Sequence, residues 1–262
     1  MISRRRLLAA GLAAGSVAAL GASGAAGSAW ARDVRSDGVT VASRRIGTSV
    51  MGRALVAYRL TQPGPVTTRY LVIGCMHGDE PAGTDVVRHR LLAASPPPGV
   101  ALWLVPTLNP DGLARGTRVN ARHVDLNRNF PAPDWHLSGV GTHTYSGPRA
   151  ASEPETRAAL AFLDAVRPHT IVSLHQPLAC VDISNPHRRG VSYWLAHHLG
   201  LPTSDLVVSG GTMTGWFNHR FPARTAVTVE LPQPAGASFR SHLAGVLLDH
   251  ATVRNRHLAT TS

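Results

Sequence analysis

The chain predicts an α/β domain, and three observations carry that expectation. Short, nearly continuous apolar runs alternate with amphipathic stretches along most of its length. Clusters of Gly and Pro punctuate them, as at Gln62-Pro63-Gly64-Pro65 and Pro96-Pro97-Pro98-Gly99. The polar residues His77, His175 and Glu230 each end or follow an apolar run, which is where open α/β sheets place their sites.

Taken in order, Ala54 to Leu60 and Arg69 to Cys75 read as strands joined by the first of those turns. Pro81 suits the first turn of a helix running to about Ala94, because that position has no hydrogen bond for an N–H to make. Val100 to Val105 is apolar throughout, the mark of a strand buried on both faces. From Asn109 to Ser152 little regular structure is expected. A loop of that length, rich in Gly, Pro, Asn and Arg, points to function or to disorder. Ser152 can cap a helix to about Val166, with Glu153 and Glu155 at its positive end and Arg167-Pro168 closing it. Thr170 to Leu174 is a strand delivering His175, and Ala179 to Ile183 is another. Ser192 to Leu199 reads as helix, Ala226 to Leu231 as a β-branched strand carrying Glu230, and Phe239 to about Asn255 as the last helix. No internal repeat is visible.

The N-terminus stands apart from this domain. Ser3-Arg4-Arg5-Arg6-Leu7-Leu8 has the twin-arginine form, an uncharged Ala- and Gly-rich run follows, and Ala29-Trp30-Ala31 offers small residues for cleavage. A membrane anchor competes with this reading, but the run is only weakly apolar, which favours a signal peptide over residues 1–31. Residues 32–262 are then one exported domain, periplasmic or extracellular, with no later stretch apolar enough to span a bilayer. All 26 basic residues are arginine; beyond the signal, 23 remain against 15 acids. That excess suits an anionic cell envelope. Nucleic acid is disfavoured, since the arginines are scattered and aromatics make up only 5% of the chain. Cys75 and Cys180 both lie near candidate site residues, as a disulfide or as two buried thiols.

Chemistry concentrates at His77-Gly78-Asp79-Glu80. A histidine and a glutamate three apart can address one metal ion as a strand turns into a helix, although with 14 histidines in the chain such a pair is weak alone. A catalytic zinc wants three protein ligands and one open position. His175 suits the third place because it ends a strand; a surface histidine is the competing reading. Glu230, a carboxylate in an apolar strand, is either a general base or a structural partner of an arginine. Arg118 and Arg128, with Asn127 beside the latter, can bind oxyanions and carboxylates, where solvated surface arginines are the usual alternative.

These segments, with Asn109-Pro110-Asp111-Gly112, Asp125-Leu126-Asn127-Arg128-Asn129-Phe130, Tyr145-Ser146-Gly147-Pro148, Ser152-Glu153-Pro154-Glu155-Thr156, Leu174-His175-Gln176-Pro177 and Glu230-Leu231-Pro232, resemble the M14 zinc carboxypeptidases, most nearly the bacterial murein peptide amidase branch. The resemblance implies a single zinc carboxypeptidase-like α/β domain, a doubly wound mixed sheet flanked by helices on both faces. It implies one zinc on His77, Glu80 and His175, with Glu230 as catalytic base and Arg118 polarising the scissile carbonyl. Asn127 and Arg128 would bind the substrate's terminal carboxylate, and Asp125 would steady a zinc histidine from behind. The implied substrate is a murein-derived peptide with a free C-terminal carboxylate, cut at γ-D-glutamyl-meso-diaminopimelate. General peptide carboxypeptidases and N-acyl amino acid deacylases share much of this motif set, and a non-catalytic wall-binding module is the non-enzymatic alternative. The chain departs from digestive members in lacking any tyrosine between Leu206 and Thr225, where Gly211-Thr212-Met213-Thr214-Gly215-Trp216 stands instead.

Overall fold

A computed structural model describes residues 30–206 and 210–260, so the expected signal lies outside the described residues except for Trp30 and Ala31. Its strands are β1 (Ala31–Val34), β2 (Thr40–Thr48), β3 (Ala54–Thr61), β4 (Thr68–Ile73), β5 (Val100–Val105), β6 (Thr170–His175), β7 (Leu178–Asp182), β8 (Thr203–Ser204) and β9 (Thr225–Pro232). The helices are α1 (Ala82–Val86, prolonged by a π-helical turn over Val87–Leu91), α2 (Pro110–Arg115), α3 (Pro154–Val166), α4 (Arg189–Leu199), α5 (Met213–Arg220) and α6 (Ala237–Thr260). The strands form one mixed sheet in the order β1-β2-β3-β5-β4-β6-β9-β7-β8.

The two-residue period of a strand explains the layering. In β4, Tyr70 and Val72 enter a core with Val86 of α1, Leu195 of α4 and Leu243 and Leu247 of α6. Leu71 and Ile73 enter the opposite core, with Phe162 and Leu163 of α3 and Met213 and Phe217 of α5. Helices therefore cover both faces, and the sheet is doubly wound as expected. Strands β4, β6 and β9 run parallel, so their C-terminal ends emerge at one edge. There the register sets His175 directly beside Glu230.

Four local expectations need correction. The stretch from Asn109 to Ser152 is not devoid of regular structure: α2 and a 3-10 turn over Leu126–Arg128 lie within it. Ser152 does not cap α3; Glu153 occupies that position without a side-chain bond to the helix, and the Ser152 hydroxyl donates to Glu153 Oε1 (2.8 Å). Strands β1 and β2 extend the sheet where no strand was expected. β2 is half-buried and carries Arg44 and Arg45, which breaks the apolar pattern, while the Arg44 guanidinium lies 4.8 Å from the Trp30 ring centre. Helix α5 was also unread, because Gly215 and an unpatterned sequence conceal it.

The remaining loop is ordered by buried side-chain amides in place of a backbone ladder. Asn120 Oδ1 accepts from Arg122 N and Val124 N, while its Nδ2 donates to Glu153 and Glu155. Asn129 Nδ2 donates to Ser146 O, Arg149 O and Ser152 Oγ, and its Oδ1 accepts from Glu153 N. Both asparagines are fully buried. They fix the segment between them, which carries Asp125, Asn127 and Arg128.

Candidate metal centre and active site

The turn after β4 is set by close backbone packing. A Cβ on Gly78 would lie 1.9 Å from the backbone carbon of Gly112, so only glycine fits between His77 and Asp79. Asn109 braces the other side of this contact. Its Oδ1 accepts from Gly112 N (2.8 Å), capping α2, and its Nδ2 donates to Arg118 O (3.0 Å). Asp111, fully buried, accepts from Ser49 Oγ, Met51 N and Arg53 Nη1, tying α2 to the β2–β3 turn.

His77, Glu80 and His175 converge as the sequence suggested. His77 Nδ1 is 2.7 Å from Glu80 Oε1, His175 Nδ1 is 3.0 Å from Glu80 Oε2, and the two Nδ1 atoms are 3.2 Å apart. The other ring nitrogens are held elsewhere, His77 Nε2 by Asp125 Oδ1 (3.0 Å) and His175 Nε2 by Ser173 Oγ (3.2 Å). Two imidazole nitrogens and a carboxylate thus meet at one buried point, each ring oriented from behind. That donor set fits zinc, and among the described residues this trio is the group that can hold a metal ion.

The charges are strongly coupled. Burial works against ionisation of Glu80, but hydrogen bonds from His175 and His77 outweigh it and hold its carboxyl below the usual range. Burial likewise disfavours charge on Asp125, and His77 and Arg118 overcome it, leaving that carboxyl lowered as well. For His77, burial favours the neutral ring, yet Asp125 and Glu80 raise it to about 8. The trio is arranged to surround positive charge.

Arg118 reaches the same carboxylates. Its Nε and Nη2 bind Asp125 Oδ2 (3.1 and 3.0 Å), and its Nη1 binds Glu80 Oε1 (3.1 Å). Asn127 Oδ1 accepts from Met213 N (3.0 Å) at the start of α5, which leaves its amide N–H groups as donors. Arg128, mostly buried, donates from Nη1 to Asn127 O (2.8 Å). Glu230 is 8% exposed, and Leu178 N lies 3.5 Å from its Oε2. Burial raises the Glu230 carboxyl, and Glu80 adds to the rise against the opposing effect of His175. One cavity of about 780 Å³ is lined by His77, Glu80, His175, Arg118, Asn127, Arg128 and Glu230. Asp125 stands behind it.

Two neighbours, Ser173 and Gln176, lie in segments singled out in the sequence but were assigned no role there. Ser173 was legible in principle, since residues two apart in a strand share a face and it precedes His175 by two. Gln176 carried no such signal. Its Oε1 accepts from Ala82 N (3.0 Å) and its Nε2 donates to Pro232 O (3.1 Å), while its own N–H reaches Glu80 Oε2 (3.2 Å). Gln176 therefore links the segments carrying Glu80, His175 and Glu230. Cys75 and Cys180 are both free and buried, and Cys75 Sγ donates to His77 O (2.8 Å). Burial pushes the Cys75 thiol up to about 12.

The chain is similar to known proteins in sequence and in fold. The model of the zinc carboxypeptidase family Peptidase_M14 matches residues 28–178. Murein peptide amidase A of Vibrio campbellii is 32% identical over 222 residues, covering 78% of this chain and 86% of its own. Murein peptide amidase A of Escherichia coli K12 is 34% identical over 186 residues, 64% and 73% of the two chains. Among solved structures, the murein-tripeptide amidase of Escherichia coli O157 superposes with a TM-score of 0.67 at 27% identity, over 79% of this chain and 91% of that one. Thrombin-activatable fibrinolysis inhibitor, at 16% identity and a TM-score of 0.69 over 82% and 69%, shares the fold.

Proposed function

This chain belongs to the zinc carboxypeptidase family and is a hydrolase, and from that premise we propose that it cuts the amide bond preceding the C-terminal residue of a murein peptide, γ-D-glutamyl-meso-diaminopimelate. The observation that carries the proposal is the single cavity joining the His77–Glu80–His175 trio, Glu230 and the Asn127–Arg128 pair. The names of the two murein peptide amidases to which the chain is similar support the substrate class.

Zinc bound by His77, Glu80 and His175 would polarise the scissile carbonyl and acidify the attacking water. Everything else falls to the chain's own groups. Glu230 takes a proton as the water oxygen attacks the carbonyl carbon, then delivers it to the leaving nitrogen as the C–N bond breaks. Its raised carboxyl suits both halves of that task. Arg118 offers N–H donors to the oxygen that gains charge. Asn127 and Arg128 hold the terminal carboxylate, and Asp125 and Ser173 keep the two imidazoles in line. Farther along the cavity, Asp134, Asp182 and Asp205 accompany Thr212, Thr214 and Asn218. Those carboxylates fit the ammonium at the far end of a diaminopimelate side chain better than an aromatic or aliphatic one.

Export belongs to the same proposal: the twin-arginine sequence would carry the enzyme out of the cytoplasm to a wall substrate. Parallel assays on a γ-D-glutamyl-diaminopimelate peptide, an ordinary peptide and an N-acyl amino acid test the substrate. Cleavage of the first is expected to dominate. Hydrolysis of the N-acyl amino acid alone would assign the chain to deacylases instead.

A further inference from the structure

The three parallel strands that end at the catalytic edge begin at the opposite edge, and arginines gather there. Arg69 is the second residue of β4, Arg167 and His169 precede β6, and Arg224 precedes β9. Arg69 Nε (3.2 Å) and Arg224 Nη1 both donate to the backbone oxygen of Arg167. Two guanidinium groups therefore meet at one atom, beside the exposed side chain of a third arginine. The nearest carboxylate on this stretch of α3, Asp164, lies 3.7 Å from Arg220, and Arg167 Nε bonds only its backbone oxygen (3.1 Å). Among the described residues, Arg69, Arg167 and Arg224 form no ion pair.

His169 completes the group. Arg69 N donates to its Nδ1 (3.1 Å), so the neutral ring carries its proton on Nε2. Burial and the neighbouring Arg69, Arg224 and Arg254 lower this histidine to about 4, which keeps it neutral and an N–H donor at physiological pH. Burial, Arg69 and Arg167 all disfavour the charged form of Arg224, and among the described residues no carboxylate offsets them. Arg69, Arg167 and Arg224, like charges crowded with no carboxylate partner among the described residues, make a site for an anion.

We propose that Arg69, Arg167, Arg224 and His169 form a binding site for a phosphate group. Three guanidinium groups and one neutral N–H donor match the charge and the several oxygens of a phosphate dianion better than a monoanionic carboxylate. Six-residue strands at about 3.3 Å per residue set this site roughly 20 Å from the catalytic edge. A phosphate-bearing polymer held there leaves the catalytic cavity open to a wall peptide.

The test is calorimetric titration of the zinc-loaded full chain at low salt. Its ligands are inorganic phosphate, soluble polyphosphate, and acetate at matched ionic strength. Phosphate is expected to bind and acetate not to. Arg69→Gln and Arg224→Gln should each weaken phosphate about tenfold, while Arg115→Gln leaves it unchanged and all three retain peptide hydrolysis. Tighter binding of polyphosphate would mark a polymer as the natural ligand, and equal binding would mark free phosphate. Arg167→Gln, at an exposed side chain, carries the same expectation should Arg69→Gln or Arg224→Gln lower the melting temperature. Equal binding of acetate, no binding of phosphate, or unchanged affinity in folded variants would overturn the site.

Discussion

Glu230 and the two histidines opposite it divide the labour of the site, and single substitutions separate the parts. Glu230→Gln keeps size and hydrogen bonding but removes the proton acceptor, so turnover should fall by about 10²–10⁴-fold. Zinc should stay bound at one per chain, because Glu230 lies outside the trio that meets at the Nδ1 atoms. Metal analysis beside a rate assay checks both halves, and near-native activity would refute the assignment of the base. Ser173 acts one step back. Its bond to His175 Nε2 fixes the ring that must present Nδ1, and removing such a support costs about 10–100-fold in metal affinity. Ser173→Ala should show that loss in a chelator competition, and Ser173→Thr should recover most of it. Equal affinity in all three proteins would leave Ser173 no positioning role.

At the scale of elements, the buried central strands were legible in the sequence, whereas β1, β2 and the long loop were not. β5 was legible to the residue because an all-apolar six-residue run has one stable home, between two covered faces. His77, His175 and Glu230 were legible for a related reason: a polar residue at the end of a buried strand needs an explanation. The loop between α2 and α3 was opaque because its order comes from Asn120 and Asn129, whose partners lie up to 35 residues away. No periodicity records such bonds. Gly78 is a test of that tertiary fit. Gly78→Ala would drive a Cβ into the Gly112 backbone, where no side chain can yield, at a cost of about 1–3 kcal/mol. Both stability and zinc affinity should drop, and a variant with native zinc affinity would show that the turn can shift freely. The α4–α6 packing makes a different prediction. His250 is buried beside Tyr70, 2.9 Å from its hydroxyl, and close to Trp194. Burial lowers it from 6.5 to about 4. The unfolded chain therefore binds a proton that the folded one refuses, and stability is lost as pH falls from about 6.5 to about 4. The loss from this residue is on the order of 3 kcal/mol. Denaturant midpoints measured across that range should slope less in His250→Gln, and identical slopes would remove His250 from the account.

The whole molecule has two functional edges built on the same three strands. β4, β6 and β9 end at the metal centre and begin among Arg69, Arg167 and Arg224, so a parallel sheet fixes the two regions on opposite sides. Family resemblance was legible throughout because the motifs follow one another in chain order across most of the domain. The arginine cluster was not, since its successive members are about 55 to 100 residues apart in sequence and meet only through the sheet register. At the catalytic edge, the reaction we propose is removal of a C-terminal diaminopimelate by metal-dependent hydrolysis. Product analysis after incubation with the murein tripeptide, with and without a chelator, addresses it most directly. Free diaminopimelate should appear without chelator, vanish with it, and return on adding zinc. Equal release in the chelated sample, or cleavage at another bond, would contradict the account.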